Sequence, residues 1–252
     1  MGYNGEMSWI YLSPHYDDVA LSCGGLVWEQ SQLSERVSIW TVCAGEPPSL
    51  NLSPFATELH ERWKLGQNAP ARRQMEDRTS TQLLGASSKY FSVPDCIYRR
   101  DPATGEFMYC SEAALNGALQ PGDIKTIHIL QIELSQSLPS EANLVCPLGL
   151  GNHVDHQLTR RVAEGLGLDL WYYADFPYLL DAKTHVKQMV GDGWVSQVFP
   201  ISPGGLTAWM DSISAHASQI STFWENDQAM RQAVAEYLDS NCGVSLWQKL
   251  RT

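Results

Sequence analysis

One histidine and two aspartates stand together near the start of the chain, in the stretch SPHYDD at positions 13–18. Imidazole and carboxylate groups bind divalent metal ions, and they can also exchange protons with a bound molecule. The side chains of Asp17 and Asp18 diverge because the residues are adjacent. One of them can therefore bind a metal while the other reaches a water molecule beside it. Together with His15, they form a first candidate metal cluster.

A second cluster of the same residue types lies far along the chain, in the sequence GNHVDH at positions 151–156. His153 and His156 are three residues apart, so they share one face of a helical turn. A catalytic zinc takes three protein ligands and leaves a fourth position open to water. The histidines and aspartates of the two clusters can thus supply three ligands, a base and an acid. Each cluster alone is also typical of a turn or a helix cap.

Both clusters occupy the same place in their local secondary structure. The first follows a short apolar strand at 9–12 and precedes a helix that includes 26–33, while the second follows a strand at 143–146 and opens a helix at 153–166. Polar loops between a strand and a helix lie at the carboxyl edge of a parallel sheet, where open α/β sheets bind their ligands. We therefore expect the two loops to meet at that edge.

The rest of the chain continues the alternation of strands and helices. Further strands are predicted at 37–42, 90–93, 170–173 and 194–199, and further helices at 71–84, 123–138, 206–220 and 225–238. This order favours an α/β fold with a mostly parallel sheet that helices cover on both faces. Neither an internal repeat nor a Gly/Ser linker divides the sequence, so 1–252 is predicted to be a single domain.

The segment at 47–70 interrupts this regularity. It contains several prolines and shows neither helical nor strand periodicity, so it is predicted to be mostly a loop insertion with a short helix around 55–65. Long loops in compact domains are often lids or binding loops. A surface insertion or an oligomer contact is the alternative, which leaves a homo-oligomer open. Trp63 in this segment is a candidate for contact with a sugar.

Composition limits the partners and the compartment. Lys and Arg total 17 against 28 for Asp and Glu, which gives a net charge of −11 and argues against nucleic acid or an anionic membrane surface as the main partner. The sequence has no apolar run of about 18 residues and no signal-peptide pattern, so we expect a cytoplasmic protein without a membrane span. The six cysteines form no C-x-x-C pair; Cys43 and Cys146 end apolar runs and are expected to be reduced core residues.

The two clusters resemble the motifs of the PIG-L/LmbE family of zinc-dependent N-acetylglucosaminyl deacetylases. The family's (A/P)-H-P-D-D-E motif is matched at 14–19 by its Pro, its His and both Asp, and its H-x-D-H motif is matched in full at 153–156. Shorter likenesses occur at 43–46, 73–76, 94–96 and 216–219, in the family's order. The resemblance therefore covers most of the chain, from 13 to 219.

This resemblance implies a Rossmann-like three-layer sandwich and a zinc-dependent N-deacetylase. His15, Asp18 and His156 would hold Zn²⁺. Asp17 would be the general base, and His153 would stabilise the oxyanion and protonate the leaving amine. A two-histidine, one-carboxylate set also suits Fe²⁺, so another divalent metal stays open.

The substrate implied by the resemblance is a small N-acylated amino sugar or glycoconjugate, with Arg73 and Asp95 at substrate-contacting positions. Arg73 could instead form an exposed ion pair with Glu76, and Asp95 could simply end a strand. His216 is expected to be a packed or capping histidine.

Two departures from the first motif leave alternatives open. Tyr16 replaces its second Pro and Val19 replaces its Glu. Neither position is a ligand, so metal binding should survive, but a carboxylate that could orient a ligand is lost. A metal-dependent hydrolase of a non-sugar N-acyl metabolite, or a non-catalytic metal-binding relative, are therefore the other hypotheses.

Overall fold

The fold is built on one twisted sheet in a computed structural model that describes residues 8–33, 35–49, 51–181, 186–187 and 189–250. Seven strands pair in the order β3-β2-β1-β4-β5-β7-β6. The strands are β1 Ser8–Ser13, β2 Arg36–Thr41, β3 Ser87–Tyr90, β4 Ala142–Pro147, β5 Leu170–Tyr173, β6 Trp194–Phe199 and β7 Val244–Lys249. The first five strands are parallel, and β7 is antiparallel to both β5 and β6.

Helices connect the parallel strands. They are α1 Asp18–Gln32, α2 Pro54–Arg62, α3 Ala69–Leu83, α4 Glu112–Leu115, α5 Asp123–Ser137, α6 Val154–Glu164, α7 Tyr178–Asp181, α8 Pro203–Ala215, α9 Ile220–Phe223 and α10 Asp227–Asn241. Right-handed crossovers place α1 and α3 on one face of the sheet, and α5 and α6 on the other. In agreement, α1 and α3 both pack against α8, and α5 packs against α6. Among the described helices, none is long and apolar enough to cross a membrane.

The strand order reverses between β1 and β4, which are paired neighbours at the centre of the sheet. Both strands are buried because helices cover both faces, and apolar side chains such as Leu12 and Val145 fill the core around them. A crevice opens at the carboxyl ends of strands where the order reverses. The two polar clusters follow these two strands, so the fold brings them to this crevice.

The predicted α/β class and mostly parallel sheet are confirmed. The strand predicted at 90–93 was wrong in position: β3 is Ser87–Tyr90, an edge strand whose exposed, polar residues gave no apolar signal. The strand β7 was not predicted, although the alternation of buried and partly exposed residues from Val244 to Trp247 fits a strand. The helix predicted at 206–220 ends earlier, because α8 stops at Ala215 and is capped by His216.

The segment at 47–70 holds more helix than its composition suggested. Ser53 caps α2 by accepting a hydrogen bond from the Ala56 N–H at 3.0 Å, and Pro54 occupies the first turn, where proline is tolerated. A 3₁₀ turn at Gly66–Asn68 then leads directly into α3. The prediction of a mostly irregular loop is therefore wrong, while the short helix considered within it is present.

Gly45, which follows the end of β2, lies against the neighbouring chain. Its N–H donates to the Val93 carbonyl at 2.8 Å, and a Cβ at this position would lie 2.1 Å from the Ser92 carbonyl oxygen. Because backbone blocks the space, we expect Gly45→Ala to lower the free energy of unfolding by about 1–3 kcal/mol, measured by urea denaturation. Gly191→Ala is the control, since a Cβ there meets nothing within 4 Å. Equal, small effects of both variants would contradict this prediction.

Candidate active site

The loops after β1 and β4 bring His15, Asp18 and His156 together. The Asp18 carboxylate lies between the two imidazoles: its Oδ2 is 3.2 Å from Nδ1 of His15, and its Oδ1 is 3.2 Å from Nε2 of His156. The backbone N–H of His15 also donates to Asp18 Oδ2 at 2.7 Å, which fixes the carboxylate within its loop. All three side chains are buried. Residues about 140 positions apart in the chain thus form one donor cluster.

The spacing and chemistry of these donors fit a divalent cation. Ligand atoms around a tetrahedral ion at about 2.0–2.1 Å lie roughly 3.3 Å from one another, close to the observed separations. The remaining nitrogen of each ring contacts a buried carboxylate: His15 Nε2 is 3.0 Å from Asp155, and His156 Nδ1 is 2.6 Å from Asp175. Such outer carboxylates fix the orientation of metal-binding imidazoles. The two rings therefore turn Nδ1 of His15 and Nε2 of His156 towards the two oxygens of Asp18.

The electrostatics of the cluster also suit a cation. Burial by itself would lower the pKa of His15, but the surrounding carboxylates, with Asp95 foremost, raise its pKa well above the usual value. Burial would likewise lower the pKa of His156, but the carboxylates of Asp18 and Asp175 raise it to about 10. Burial would raise the pKa of Asp18, but the two rings hold that pKa well below its usual range. The raised pKa of each ring thus favours its protonated form beside the Asp18 carboxylate.

Asp17 lies beside this cluster and is held by an arginine. Its Oδ1 accepts from Nη2 of Arg73 at 3.1 Å, and Nη1 of Arg73 is 3.5 Å from Oδ2 of Asp95. The guanidinium stacks over Trp63, with its central carbon 4.7 Å from the ring centre. The structure therefore brings the predicted base and both predicted substrate-contacting residues to one side of the cluster.

One interpretation of this region is corrected. Arg73 is only 7% exposed and pairs with Asp17, so the alternative of an exposed Arg73–Glu76 ion pair is wrong. Glu76 instead accepts from the N–H and the hydroxyl of Ser218, at 3.1 and 2.6 Å. Contact of Trp63 with a sugar stays a prediction: one face of its ring lies under the Arg73 guanidinium, and the residue lines the pocket described below.

His153 is a neutral imidazole at the N-terminus of α6. Its Nδ1 accepts from the Asp155 N–H at 3.2 Å, which places the ring proton on Nε2. Its ring stands edge-on to that of His15, with centroids 4.9 Å apart. Burial, followed by the charge of nearby His15, lowers the pKa of His153 to about 3. The neutral ring can therefore donate a hydrogen bond from Nε2 without carrying a charge.

The other singled-out histidines lie outside the cluster. His216 is buried at the C-cap of α8, as the packed or capping interpretation expects, and burial lowers its pKa to about 4. His60 contacts the Tyr98 hydroxyl at 2.5 Å. His128 is exposed on α5, and His185 lies outside the described residues.

A pocket of about 210 Å³ opens onto the cluster. Its lining includes all seven predicted site residues, namely His15, Asp17, Asp18, Arg73, Asp95, His153 and His156. One wall comes from the segment at 47–70, through Leu59, Arg62 and Trp63. This favours a binding role for that segment over a mere surface insertion. Apolar and aromatic groups, among them Ile97, Leu115, Tyr178 and Phe223, form other parts of the lining.

The sequence profile of the PIG-L family, described as GlcNAc-PI de-N-acetylase, matches residues 10–166, which is more than half of the chain. The chain belongs to the PIG-L family. The expected family and the expected class of N-deacetylase hydrolase are thereby confirmed. The matched region includes both motifs and every one of the predicted site residues.

Individual relatives agree with this membership. The 2'-N-acetylparomamine deacetylase of Niallia circulans is 31% identical over 208 residues, which cover 75% of this chain and 72% of the relative. The zinc-inhibited form of teicoplanin deacetylase has a TM-score of 0.79 at 22% identity and covers 97% of this chain and 98% of its own. The A40926 pseudoaglycone deacetylase has a TM-score of 0.73 at 23% identity, with coverages of 96% and 97%. These two structures share the fold.

The two departures from the PIG-L motif have visible structural consequences. Val19 is fully buried in the first turn of α1, and its N–H donates to Oγ of Ser13 at 3.2 Å. Tyr16 is buried too, and its hydroxyl donates to the Ala44 carbonyl at 3.0 Å, which ties the first loop to the end of β2. Val19 is thus a core residue where the motif has a carboxylate. Tyr16 anchors the loop through a hydrogen bond where the motif has a proline.

Sequence reasoning missed two members of this PIG-L site. Asp175 accepts from the N–H groups of Gly149 and Leu150, both at 2.8 Å, besides contacting His156. It lies just after β5, so the rule that found the other clusters, a carboxylate at the carboxyl end of a parallel strand, could have found it. Arg99, which pairs with Asp155 at 2.6 Å, had no comparable signal.

Proposed function

We propose that this protein is a zinc-dependent hydrolase that removes the acetyl group from an N-acetylated amino sugar or a small molecule containing one. The observation that carries the proposal is that Asp18 lies 3.2 Å from a ring nitrogen of both His15 and His156, in a pocket that Asp17 also lines. A donor set with an adjacent base at the floor of an open pocket is what hydrolysis of an amide requires.

The proposed ligands are Nδ1 of His15, the Asp18 carboxylate and Nε2 of His156. Nitrogen and oxygen donors in this number are typical of catalytic zinc sites, and an ion bound there would polarise a carbonyl and make a water more acidic. Fe²⁺ accepts the same donor set, so metal analysis of the purified protein distinguishes the two ions.

Asp17 is proposed to take a proton from the attacking water. Its carboxylate faces the same pocket as the donor cluster, and the ion pair with Arg73 fixes its position. Arg73 is held in turn by Asp95 and by the ring of Trp63, so the base cannot swing away from the pocket.

His153 is proposed to stabilise the oxyanion that forms when water adds to the acyl carbon. Its Nε2–H can donate to that oxygen, and such a donor is effective because it is already oriented. The pKa of about 3 favours a neutral His153, which carries a proton on Nε2 but no second, acidic proton for the leaving amine. Asp17, which has gained the proton of the water, is therefore favoured over His153 as the group that protonates the leaving amine.

The substrate class rests on the relative with the greatest sequence identity above. That relative deacetylates 2'-N-acetylparomamine, an N-acetylated amino sugar compound, and its 31% identity spans most of both chains. The pocket is compatible with such a molecule, because both polar groups and apolar or aromatic side chains line it.

The test is a panel of amides incubated with the zinc-loaded protein, with acetate and free amine quantified. N-acetylated amino sugars, including N-acetylated aminoglycoside precursors, should be hydrolysed, whereas N-acetyl amino acids should not. If only the non-sugar amides were hydrolysed, the substrate would belong to the non-sugar N-acyl compounds instead. Failure to hydrolyse any amide, with one metal bound per chain, would overturn the proposal.

A further inference from the structure

A chain of buried polar groups extends from the candidate metal cluster into the protein, away from the pocket. Nη1 of Arg99 lies 2.6 Å from Oδ1 of Asp155 in an ion pair, and Nε of Arg99 lies 3.0 Å from Oδ1 of Asp123. Oδ2 of Asp123 accepts from the Tyr109 hydroxyl at 2.5 Å. These four residues are at most 6% exposed. The chain connects His15 to groups that touch neither the pocket nor a substrate.

The Arg99 guanidinium is the only cation along this chain of described groups. It lies between two buried carboxylates and forms an ion pair with each of them. A buried ion network of this kind contributes little net stability compared with apolar residues of the same volume. Its presence therefore suggests a role beyond packing.

The contacts of Asp155 indicate what that role is. Its other oxygen, Oδ2, lies 3.0 Å from Nε2 of His15 and accepts from the Cys96 N–H at 2.9 Å. The charge of Arg99 beside Oδ1 and the Cys96 N–H on Oδ2 both favour the orientation of the carboxylate that faces His15. A carboxylate at Nε2 fixes the imidazole so that Nδ1 faces Asp18.

We infer that Arg99 is a positioning residue of the metal site, which acts through Asp155 to hold His15 in its ligand orientation, with Asp123 and Tyr109 as its support. The inference rests on the proposed function in so far as His15 is a metal ligand. Arg99 lies between β3 and β4, outside the motifs of the sequence analysis, and it does not line the pocket.

The test compares Arg99→Gln with Arg99→Lys, and uses Arg100→Gln as the matched control. Arg100 is the adjacent arginine, and it donates to the carbonyls of Gly105 and Asn51 at the surface. Zinc affinity is measured on metal-free protein by competition with a chromophoric chelator, and folding of the metal-free variants by circular dichroism. Arg99→Gln should weaken zinc binding about 10–100-fold, the usual effect of removing an outer-sphere partner.

Arg99→Lys should bind zinc more tightly than Arg99→Gln, because lysine keeps the positive charge although it lacks the planar guanidinium. The zinc affinity of Arg100→Gln should stay within about twofold of the wild type. A merely structural Arg99 would lower the melting temperature without a change in zinc affinity, and that result would overturn the inference. If Arg99→Gln does not fold, Arg99→Lys and Asp123→Asn decide: unchanged affinity in both overturns it. A wild-type protein that binds no zinc would instead refute the proposed function.

Discussion

Replacing Asp17 with asparagine should lower kcat for deacetylation by about 10²–10⁴-fold while leaving the metal in place. The amide has the shape of the carboxylate but cannot accept a proton, so the attacking water loses its base. Asp17 is not among the donors that flank Asp18, and Arg73 keeps Asp95 as a partner when the charge at Asp17 is lost. The pocket should therefore keep its shape.

The measurement pairs steady-state kinetics with metal content of the same preparation. Asp18→Asn is the informative companion, because Asp18 lies within 3.2 Å of both imidazoles and its neutralisation should cost the metal itself. Activity of Asp17→Asn close to that of the wild type would refute the assignment of the base. Loss of metal from Asp17→Asn would show that this side chain is a ligand instead.

The metal cluster was predictable because its signal is local. Each group of histidines and aspartates directly follows an apolar strand, and the carboxyl ends of parallel strands share one edge of a sheet. Knowing that His15 and His156 both lie at such ends was enough to expect them near each other. The pairing of β1 with β4 at the reversal of strand order then places them side by side.

The groups that hold these residues were less accessible to sequence reasoning. The partners of Asp155, Arg73 and Arg99 are set by contacts between segments far apart in the chain, and no spacing rule encodes them. Arg73 illustrates the difficulty: helix spacing suggested Glu76 as its partner, but the guanidinium turns inward to Asp17. Only the packing of α3 against the sheet decides between the two.

Two errors in the predicted elements have a common cause. β3 was misplaced and β7 was missed because edge and antiparallel strands with one exposed face carry weak apolar patterns. β7 in addition inserts between β5 and β6, an order that the chain does not reveal. Neither strand carries a site residue, which is why the site was predicted better than the sheet that supports it.

Zinc affinity should rise steeply with pH, by up to about 100-fold per unit between roughly pH 6.5 and 8. In the metal-free protein the pKa of His156 is raised to about 10, and that of His15 is raised well above its usual value. His156 is therefore protonated in this range, and the raised pKa of His15 favours a proton there too, so a metal must displace protons from the rings. Calorimetry in buffers of different ionisation enthalpy should record between about one and two protons released per zinc bound.

The same pKa shifts determine how the free energy of unfolding of the metal-free protein depends on pH. The pKa of a histidine is about 6.5 in the unfolded chain, so a raised pKa in the fold stabilises it fully below that pH. This contribution is lost as the pH rises from about 6.5 towards the folded-state pKa of His156, which is about 10. Metal-free protein should thus lose stability across the range in which zinc binding gains affinity.

A variant of Asp175 distinguishes the contribution of His156 to proton release from that of His15. Its carboxylate contacts Nδ1 of His156 at 2.6 Å and contributes to the raised pKa of that ring. Asp175→Asn should therefore lower the pKa of His156, reduce the number of protons released on zinc binding, and flatten the rise of affinity with pH. Zinc binding that releases no protons from the wild-type protein, with an affinity independent of pH, would mean that the rings are neutral before the metal arrives. The carboxylates around them would then be organised for the cation alone rather than for protons that it replaces.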